Sequence, residues 1–279
     1  MPANRLRTTS WRKYLQQLCD RNGSLQITIA PSGRVPKAFL WNVVLVDLTS
    51  SEIIVEAPTT VGEPILFDLG LRLLGIMSIG QNRWMFRTRS LGITAKKNRG
   101  KTSYLLKLSM PLKVERCQRR RDYRISTDTL ELPEATLWPL LDPRSALLPE
   151  QVCKANFNAY LKTNKVIKFK ESLPIVGPPS VGIISNIGGG GIGLQINGSG
   201  GFGIGKYKFY WLQFQLGISN SPPLGVNAKL MHHHLEAGDT IYAGMMFDFS
   251  FNPSHRKFIG QQISNAIAMQ QRVQLKMAS

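Results

Sequence analysis

The chain is short of cysteine, of acid and of long apolar runs, and each shortage excludes a class of protein. Its three cysteines, Cys19, Cys117 and Cys153, stand far apart in 279 residues. They are odd in number and form no CxxC pair, so neither a disulfide framework nor a cysteine-based zinc site is expected, and a reducing compartment fits. The longest apolar stretch, residues 38–48, is interrupted by Asn42 and Asp47. It is about half the ~20 residues a membrane span needs. The basic segment ahead of Asp20 lacks the apolar run of a secretory signal. These features predict a soluble cytoplasmic protein. No GxSxG elbow, HExxH helix or pair of carboxylates at catalytic spacing occurs, so no catalytic residues and no enzyme are expected.

The shortage of acid sets the charge. Thirty-five Lys and Arg against seventeen Asp and Glu give 35 − 17 = +18. The first 113 residues hold 17 basic and 6 acidic side chains, +11, and the remainder holds +7, so no single tail carries the excess. Such a balance points to an anionic partner: nucleotide, nucleic acid or acidic protein surface. Hydrophobic residues at 43% against 19% charged are enough for buried cores.

Hydrophobic periodicity divides the chain. Trp11, Tyr14, Leu15, Leu18 and Cys19 make one helical face, with Thr9 or Ser10 to cap it and Asn22-Gly23 to end it. Short apolar or alternating segments follow at 25–30, 38–48, 52–56, 64–67, 71–79, 84–90 and 103–110, separated by Gly, Pro, Asn and Ser. Many short strands with little helix predict an antiparallel β-barrel. Strand character returns at 181–187, 192–196, 207–219, 226–234 and 240–249, with weaker signals at 136–141 and 165–169 and a helix near 150–161. Phe258, Ile259, Ile263, Ala266, Ile267 and Val273 mark a C-terminal helix over 254–276. The expected fold is mainly β: two small antiparallel barrels, with an N-terminal and a C-terminal helix. The expected divisions are 1–112, a basic hinge at 113–125, and 126–279. The proline-rich stretch 126–180 carries no clear pattern.

Two glycine motifs fit a nucleotide fold in letters only. Gly198-Ser199-Gly200-Gly201-Phe202-Gly203 matches GxGxxG, and Gly200 to Lys206 matches a P-loop that ends in Tyr207. Both need a helix directly after the glycines, whereas Lys206–Trp211 alternates like a strand. His232-His233-His234 could suggest a metal. On a strand only His232 and His234 share a face, and neither Glu236 nor Asp239 has an obvious geometry to complete a site, so no metal is expected.

The basic run differs from these. Lys113, Arg116, Arg119, Arg120, Arg121 and Arg124 fall within twelve positions, with Tyr123 among them. A solvated linker or a nonspecific grip on nucleic-acid backbone would each account for the charge. Arginine, with its planar fork, also bonds phosphate bidentately and stacks on bases. The segment Gln118-Arg119-Arg120-Arg121-Asp122-Tyr123-Arg124-Ile125-Ser126 resembles the RxxxR segment of PilZ domains, receptors for the bacterial second messenger cyclic di-GMP. Arg120 and Arg124 match its two arginines. Asn186-Ile187-Gly188-Gly189-Gly190-Gly191-Ile192-Gly193-Leu194 is similar to the family's second motif, (D/N)xSxxG, where it passes into an apolar strand. The order of parts resembles the flagellar-brake branch of the family.

The resemblance implies that Arg120 and Arg124 clamp phosphate or guanine edges and that Arg119 stacks on a second guanine. It implies that Asn186 bonds a guanine edge while Gly188 and Gly191 admit a close backbone approach. No other cofactor is implied. Ligand would order the hinge, change how the two barrels face each other and expose a surface for a protein partner, in this branch the flagellar motor. Two features depart from the family pattern. Gly188 stands where the motif has serine, and the two motifs are spread apart by residues 126–180. A competing register, Ile183-x-Ser185-x-x-Gly188, keeps the serine and loses the amide. Loss of one hydrogen bond to a charged group costs about 1.5–3 kcal/mol, so a PilZ-like interaction module that no longer binds the ligand is the alternative reading.

Overall fold

The structure, a computed structural model, describes residues 10–31, 39–79, 82–98, 101–117, 133–163, 172–188, 190–197, 203–216, 221–236 and 240–276. The chain separates into two compact units, one of residues 1–59, 64–131 and 268–279, the other of 60–63 and 132–267.

In the first unit, helix α1 (Trp11–Asp20) buries Trp11 and Leu15. Its end follows the predicted asparagine–glycine signal. Asn22 takes the left-handed conformation (φ 50°), its N–H bonds Cys19 O at 3.0 Å, and the Gly23 N–H bonds Leu18 O at 2.7 Å. Seven strands follow that join one sheet: β1 (Ser24–Ile29), β2 (Trp41–Leu48), β3 (Glu52–Glu56), β6 (Arg72–Ile79), β7 (Asn82–Asn98), β8 (Lys101–Ser109) and β9 (Val114–Cys117). A two-strand hairpin, β4 (Thr59–Thr60) with β5 (Glu63–Pro64), lies between β3 and β6. The sheet order is β6-β1-β2-β3-β8-β7-β9, and a further β6–β7 pairing closes the first six into a barrel. Its core holds Trp41 edge-on to Phe67, ring centroids 5.5 Å apart.

The strands here differ from the sequence reading at several places: the one expected at 64–67 ends at Pro64, and the two-residue β4 is not among those expected. β7 runs on to Asn98, past a register shift between Ser90 and Ile93 where Gly92 has φ +101°. This end reads as loop because Thr94, Ala95 and Lys96 are all exposed and give no alternation. The start of the basic segment is a strand, not linker: Val114 pairs with Phe86 and Glu115 with Met85. Arg119, Arg120 and Arg124 lie outside the described residues.

The second unit is a closed barrel of six strands: β10 (Glu134–Pro139), β11 (Ser180–Gly188), β12 (Gly191–Asn197), β15 (Thr240–Phe247), β14 (Leu224–Glu236) and β13 (Phe209–Phe214), in that order around the ring. The unplaced stretch between β10 and β11 carries a 3-10 turn (Pro143–Ala146) running into helix α2 (Leu147–Thr163). Asp142 caps the turn by accepting the Arg144 N–H at 2.9 Å. The returning chain then lies back along the end of β10, with Leu141 N–H on Ile175 O at 2.9 Å and Gly177 N–H on Pro139 O at 2.9 Å. The strand expected at 165–169 falls outside the described residues, apart from which β13 is shorter than expected. Helix α3 (Pro253–Lys276) buries Phe258, Ile259, Ile263, Ala266 and Ile267, as its periodicity predicts.

β14 pairs with β15 only from Ala228 onward, so its first residues have an edge with no strand beside it. Side chains from the helices take the strand's place. Cys153 Sγ on α2 accepts the Gly225 N–H at 3.2 Å, and His255 Nε2 on α3 lies 2.9 Å from Gly225 O. Glu150 Oε1 accepts the Asn227 N–H at 3.4 Å, and the Asp248 N–H bonds Asn227 O at 2.8 Å. Burying these groups shifts them. Desolvation pushes the Glu150 carboxyl up to about 7, with Asn252 and Asn227 donors opposing and Asp248 adding repulsion. Desolvation pushes the His255 imidazole down to about 4, against its bond to Gly225.

The two shifts act on stability with opposite signs. Glu150 is a carboxyl raised from 4.5, so it costs nothing below that pH and about 3 kcal/mol once pH has risen through 7. His255 is lowered from 6.5, so it costs nothing above that pH and about 3 kcal/mol once pH has fallen through 4. Between roughly pH 4.5 and 6.5 their pH slopes nearly cancel, and the summed cost stays at about 3 kcal/mol. Glu150→Gln is therefore expected to lose stability on acidification across this window relative to the parent. His255→Gln is expected to gain it. Urea melts at pH 7.5, 6 and 5 read both slopes, and parallel profiles for the two variants would contradict the assignment.

Candidate functional site

The second barrel's outer face is unusual across β11, β12, β15 and β14. Asn186, Gly193, Gly244 and His232 are directly opposite one another across the four strands. The next row on the same face is Ile183, Gln195, Tyr242 and His234. On the other side of the first row lie Gly188, Gly191, Met246 and Lys229.

Two bulges bring the outer members of the first row to this face. The ladder shifts between Ile184 and Asn186 on β11 and between Leu230 and His232 on β14. Strict alternation from exposed Ile183 would turn Ser185 outward and Asn186 in. One extra residue at Ser185 reverses that, leaving Ser185 buried and Asn186 at the surface. The Ser185 hydroxyl donates to Gly193 O at 3.1 Å. Its proton thus committed, Ser185 Oγ faces Asn186 Nδ2 at 3.5 Å as an acceptor, and Nδ2 also donates to Tyr242 Oη at 2.9 Å. This orients the amide: Nδ2 is used within the protein and Oδ1 accepts no hydrogen bond among the described residues.

Three aromatic rings stand beside that amide. Tyr242 lies 5.1 Å from His234 and 5.8 Å from His232 between centroids, and the two histidines are 6.4 Å apart and within 5° of parallel. His232 and His234 share a face as strand alternation predicts. His233 points the other way, and a Cβ on Gly205 would approach its ring to 2.7 Å. Among the described residues no group of three or more His, Cys, Asp or Glu is placed to hold a metal ion. At the far margin of the patch Gln195 Nε2 donates to Glu236 Oε2 at 2.8 Å.

The motif glycines have separate reasons. Gly188 pairs with Gly191 across a hairpin in which Gly190 takes φ +102°. Gly191 permits a close approach to its own barrel: a Cβ there would fall 2.2 Å from Met245 O. Of the glycine decoys, Gly203 to Lys206 form a turn followed by β13, with no helix, and residues 198–202 lie outside the described set. Sequence reasoning missed Tyr242 and Gly244. Gly193 ends the quoted motif segment, Gly244 belongs to no motif, and only the cross-strand register brings Tyr242 to Asn186.

No protein-family model matches the chain, and no curated protein matches it. Some solved structures do. The Escherichia coli YcgR complex with c-di-GMP is similar over 98% of this chain and 97% of its own, at 11% identity and a TM-score of 0.32. The Bacillus subtilis inhibitor of motility MotI/DgrA is similar over 89% of this chain and 96% of its own, at 12% identity and a TM-score of 0.30. The K. pneumonia MrkH complex with c-di-GMP is similar over 96% and 97%, at 9% identity and 0.33. Identities and TM-scores this low assign no role to any residue. Among the described residues no helix is long and apolar enough to cross a membrane.

Two outcomes follow for this face. Gly191→Ala is expected to destabilise the protein by about 1–3 kcal/mol, because the added methyl meets strand backbone that cannot rotate away. A shift in urea midpoint reads it, and an unchanged midpoint would contradict the close approach. Protein purified without a tag is expected to hold less than stoichiometric zinc or nickel. One ion per chain, lost in a His232/His234 double variant, would overturn that expectation.

Proposed function

We propose that the chain is a PilZ-type receptor for cyclic di-GMP that acts through a protein target and has no catalytic role. Cyclic di-GMP carries two phosphodiesters and two guanines, and the reading assigns phosphate and guanine edges to Arg120 and Arg124, stacking to Arg119, and a guanine edge to Asn186. The observation that carries it is the Asn186 amide. Its Oδ1 accepts no hydrogen bond among the described residues, the residue is half-buried on the barrel's outer face, and guanine presents N–H donors on its Watson–Crick edge. Gly188, one row away on the same face, adds no side chain beside it. The finer part of the proposal is that ligand orders the segment 113–125, alters the arrangement of the two barrels and so regulates a cytoplasmic protein partner, with flagellar motor components the first to test.

Calorimetry with cyclic di-GMP, cyclic di-AMP, GTP and short duplex DNA tests the reading. Tight binding of cyclic di-GMP alone is expected. Salt-sensitive binding of duplex DNA in its place would make the +18 charge a nucleic-acid grip instead. Arg120→Ala and Arg124→Ala are each expected to weaken cyclic di-GMP by at least ~2 kcal/mol, while Lys96→Ala, a basic exposed residue outside the motif, leaves it unchanged. Equal weakening by all three would reduce the interaction to diffuse electrostatics.

Gly188→Ser restores the family's hydroxyl at a paired strand position. It is expected to tighten binding by about 1–3 kcal/mol with an unchanged melting temperature. Unchanged affinity would mean that residue 188 does not face the ligand. A parent chain and a Gly188→Ser variant that both fail to bind would favour the interaction module that has lost its ligand.

A further inference from the structure

We propose that Tyr242, with His232 and His234 beside it, is a stacking platform for a purine base, the second half of a base-reading site whose first half is the Asn186 amide. This rests on the cyclic di-GMP reading and adds to it three residues that belong to neither motif.

The case begins with two glycines. Gly193 and Gly244 face each other in the middle of adjacent strands, where glycine weakens a sheet and a β-branched residue would pack better. A Cβ on Gly193 would come within 2.3 Å of Tyr242 Oη and 2.4 Å of Asn186 Nδ2. A Cβ on Gly244 would come within 2.3 Å of His232 Cε1 and within 2.8 Å of both ring nitrogens. The missing side chains are what let the phenol and the imidazole lie down against the strands. Stability of the barrel alone gives no reason for such a floor.

Ring geometry adds to this. The three rings are mutually inclined by 5° to 31° at centroid separations of 5.1 to 6.4 Å. These separations and inclinations lie within the usual range for packed aromatic rings, so the three side chains form one aromatic cluster on this face. His232 and His234 are exposed, and so is Ile183 in the Tyr242 row, at 44%. The bulges that turn Asn186 and His232 outward both border the same row, and bulges concentrate where a fold re-aims side chains for function. The Asn186–Tyr242 hydrogen bond fixes the phenol in place, so little side-chain freedom remains to be lost on binding. A purine lying on this surface would hold its edge toward Asn186 Oδ1, which suits the N–H donors of guanine better than the acceptor N1 of adenine.

The test titrates cyclic di-GMP into the parent chain and three variants, with melting temperatures measured alongside. Tyr242→Leu is expected to weaken binding about ten- to a hundredfold, the range for one lost base stack. Tyr242→Phe, which keeps the ring, is expected to stay within about fivefold of the parent, against that larger loss. His234→Ala removes an exposed side chain and is expected to weaken binding several-fold without a change in melting temperature, so it decides the matter if Tyr242→Leu fails to fold. In carbon-resolved NMR of the parent, the His232 and His234 ring signals are expected to move upfield on saturation. A parent that binds while Tyr242→Leu or His234→Ala binds equally well, with unmoved histidine signals, overturns the platform and leaves the receptor reading intact. A parent that does not bind, even as Gly188→Ser, sinks the receptor reading and the platform with it.

Discussion

Every backbone N–H and C=O that leaves water must find a partner, and this constraint decides how the helices meet the strands within each unit. A six-strand barrel satisfies its ladders only where neighbouring strands are equally long. β14 starts ahead of β15, so the N–H and C=O of Gly225 point at helices rather than at a strand. Cys153 and His255 answer one each, and Glu150 with the Asp248 amide answers Asn227. The first unit uses the same solution. Gln274 accepts the Arg72 N–H at 2.9 Å and donates to Arg72 O at 2.8 Å, while Gln271 donates to Leu66 O at 3.0 Å. Buried glutamines on a helix otherwise read as sequence noise. Here the primary amide imitates a peptide group and completes the edge.

Using titratable side chains for that task has a consequence. Glutamine completes an edge at any pH, whereas Glu150 and His255 do so only in their neutral forms at low cost. Burial moves the carboxyl up and the imidazole down, so each is held away from the charge it would carry in water. Because the shifts have opposite senses, the pair leaves the barrel nearly indifferent to pH across the window in which either alone would tilt it. Cys153 stands outside this balance, since burial pushes its thiol up to about 11. A thiol so raised is an inert hydrogen-bonding group rather than a nucleophile.

How much of this was legible in the sequence follows from how local each signal is. α1 and its Asn22-Gly23 stop are encoded within a dozen residues, and the structure reproduces them. The apolar stripe of α3 is equally local. The outer face of the second barrel is not. Alternation places Asn186 or Ser185 outward but cannot choose between them, and the competing motif registers in the sequence are that same ambiguity. A single bulge residue decides it, and a bulge has no reliable signature beyond glycine. For the histidines the sequence yields their sidedness relative to each other, while the bulge at Met231 determines which of them share the face of Asn186. Tyr242 carries no motif at all, and only the pairing of β12 with β15 makes it Asn186's neighbour.

If the proposed site is right, the chemistry of that face also divides the work of recognition. The rows of Asn186, Gly193, Gly244 and His232 and of Ile183, Gln195, Tyr242 and His234 contain no carboxylate, lysine or arginine. The densest cationic run, from Lys113 to Arg124, lies elsewhere in the chain. Attraction of a cationic segment to phosphate is strong, long-ranged and weakened by salt, and it cannot distinguish one nucleotide from another. Stacking and an oriented amide are short-ranged, tolerate salt and can tell guanine from adenine. In a chain of charge +18, a base-reading face built from more arginine would have held any polyanion. On the proposed reading, side chains fixed by a buried serine, two bulges and two facing glycines would give that face selectivity without adding arginine or lysine.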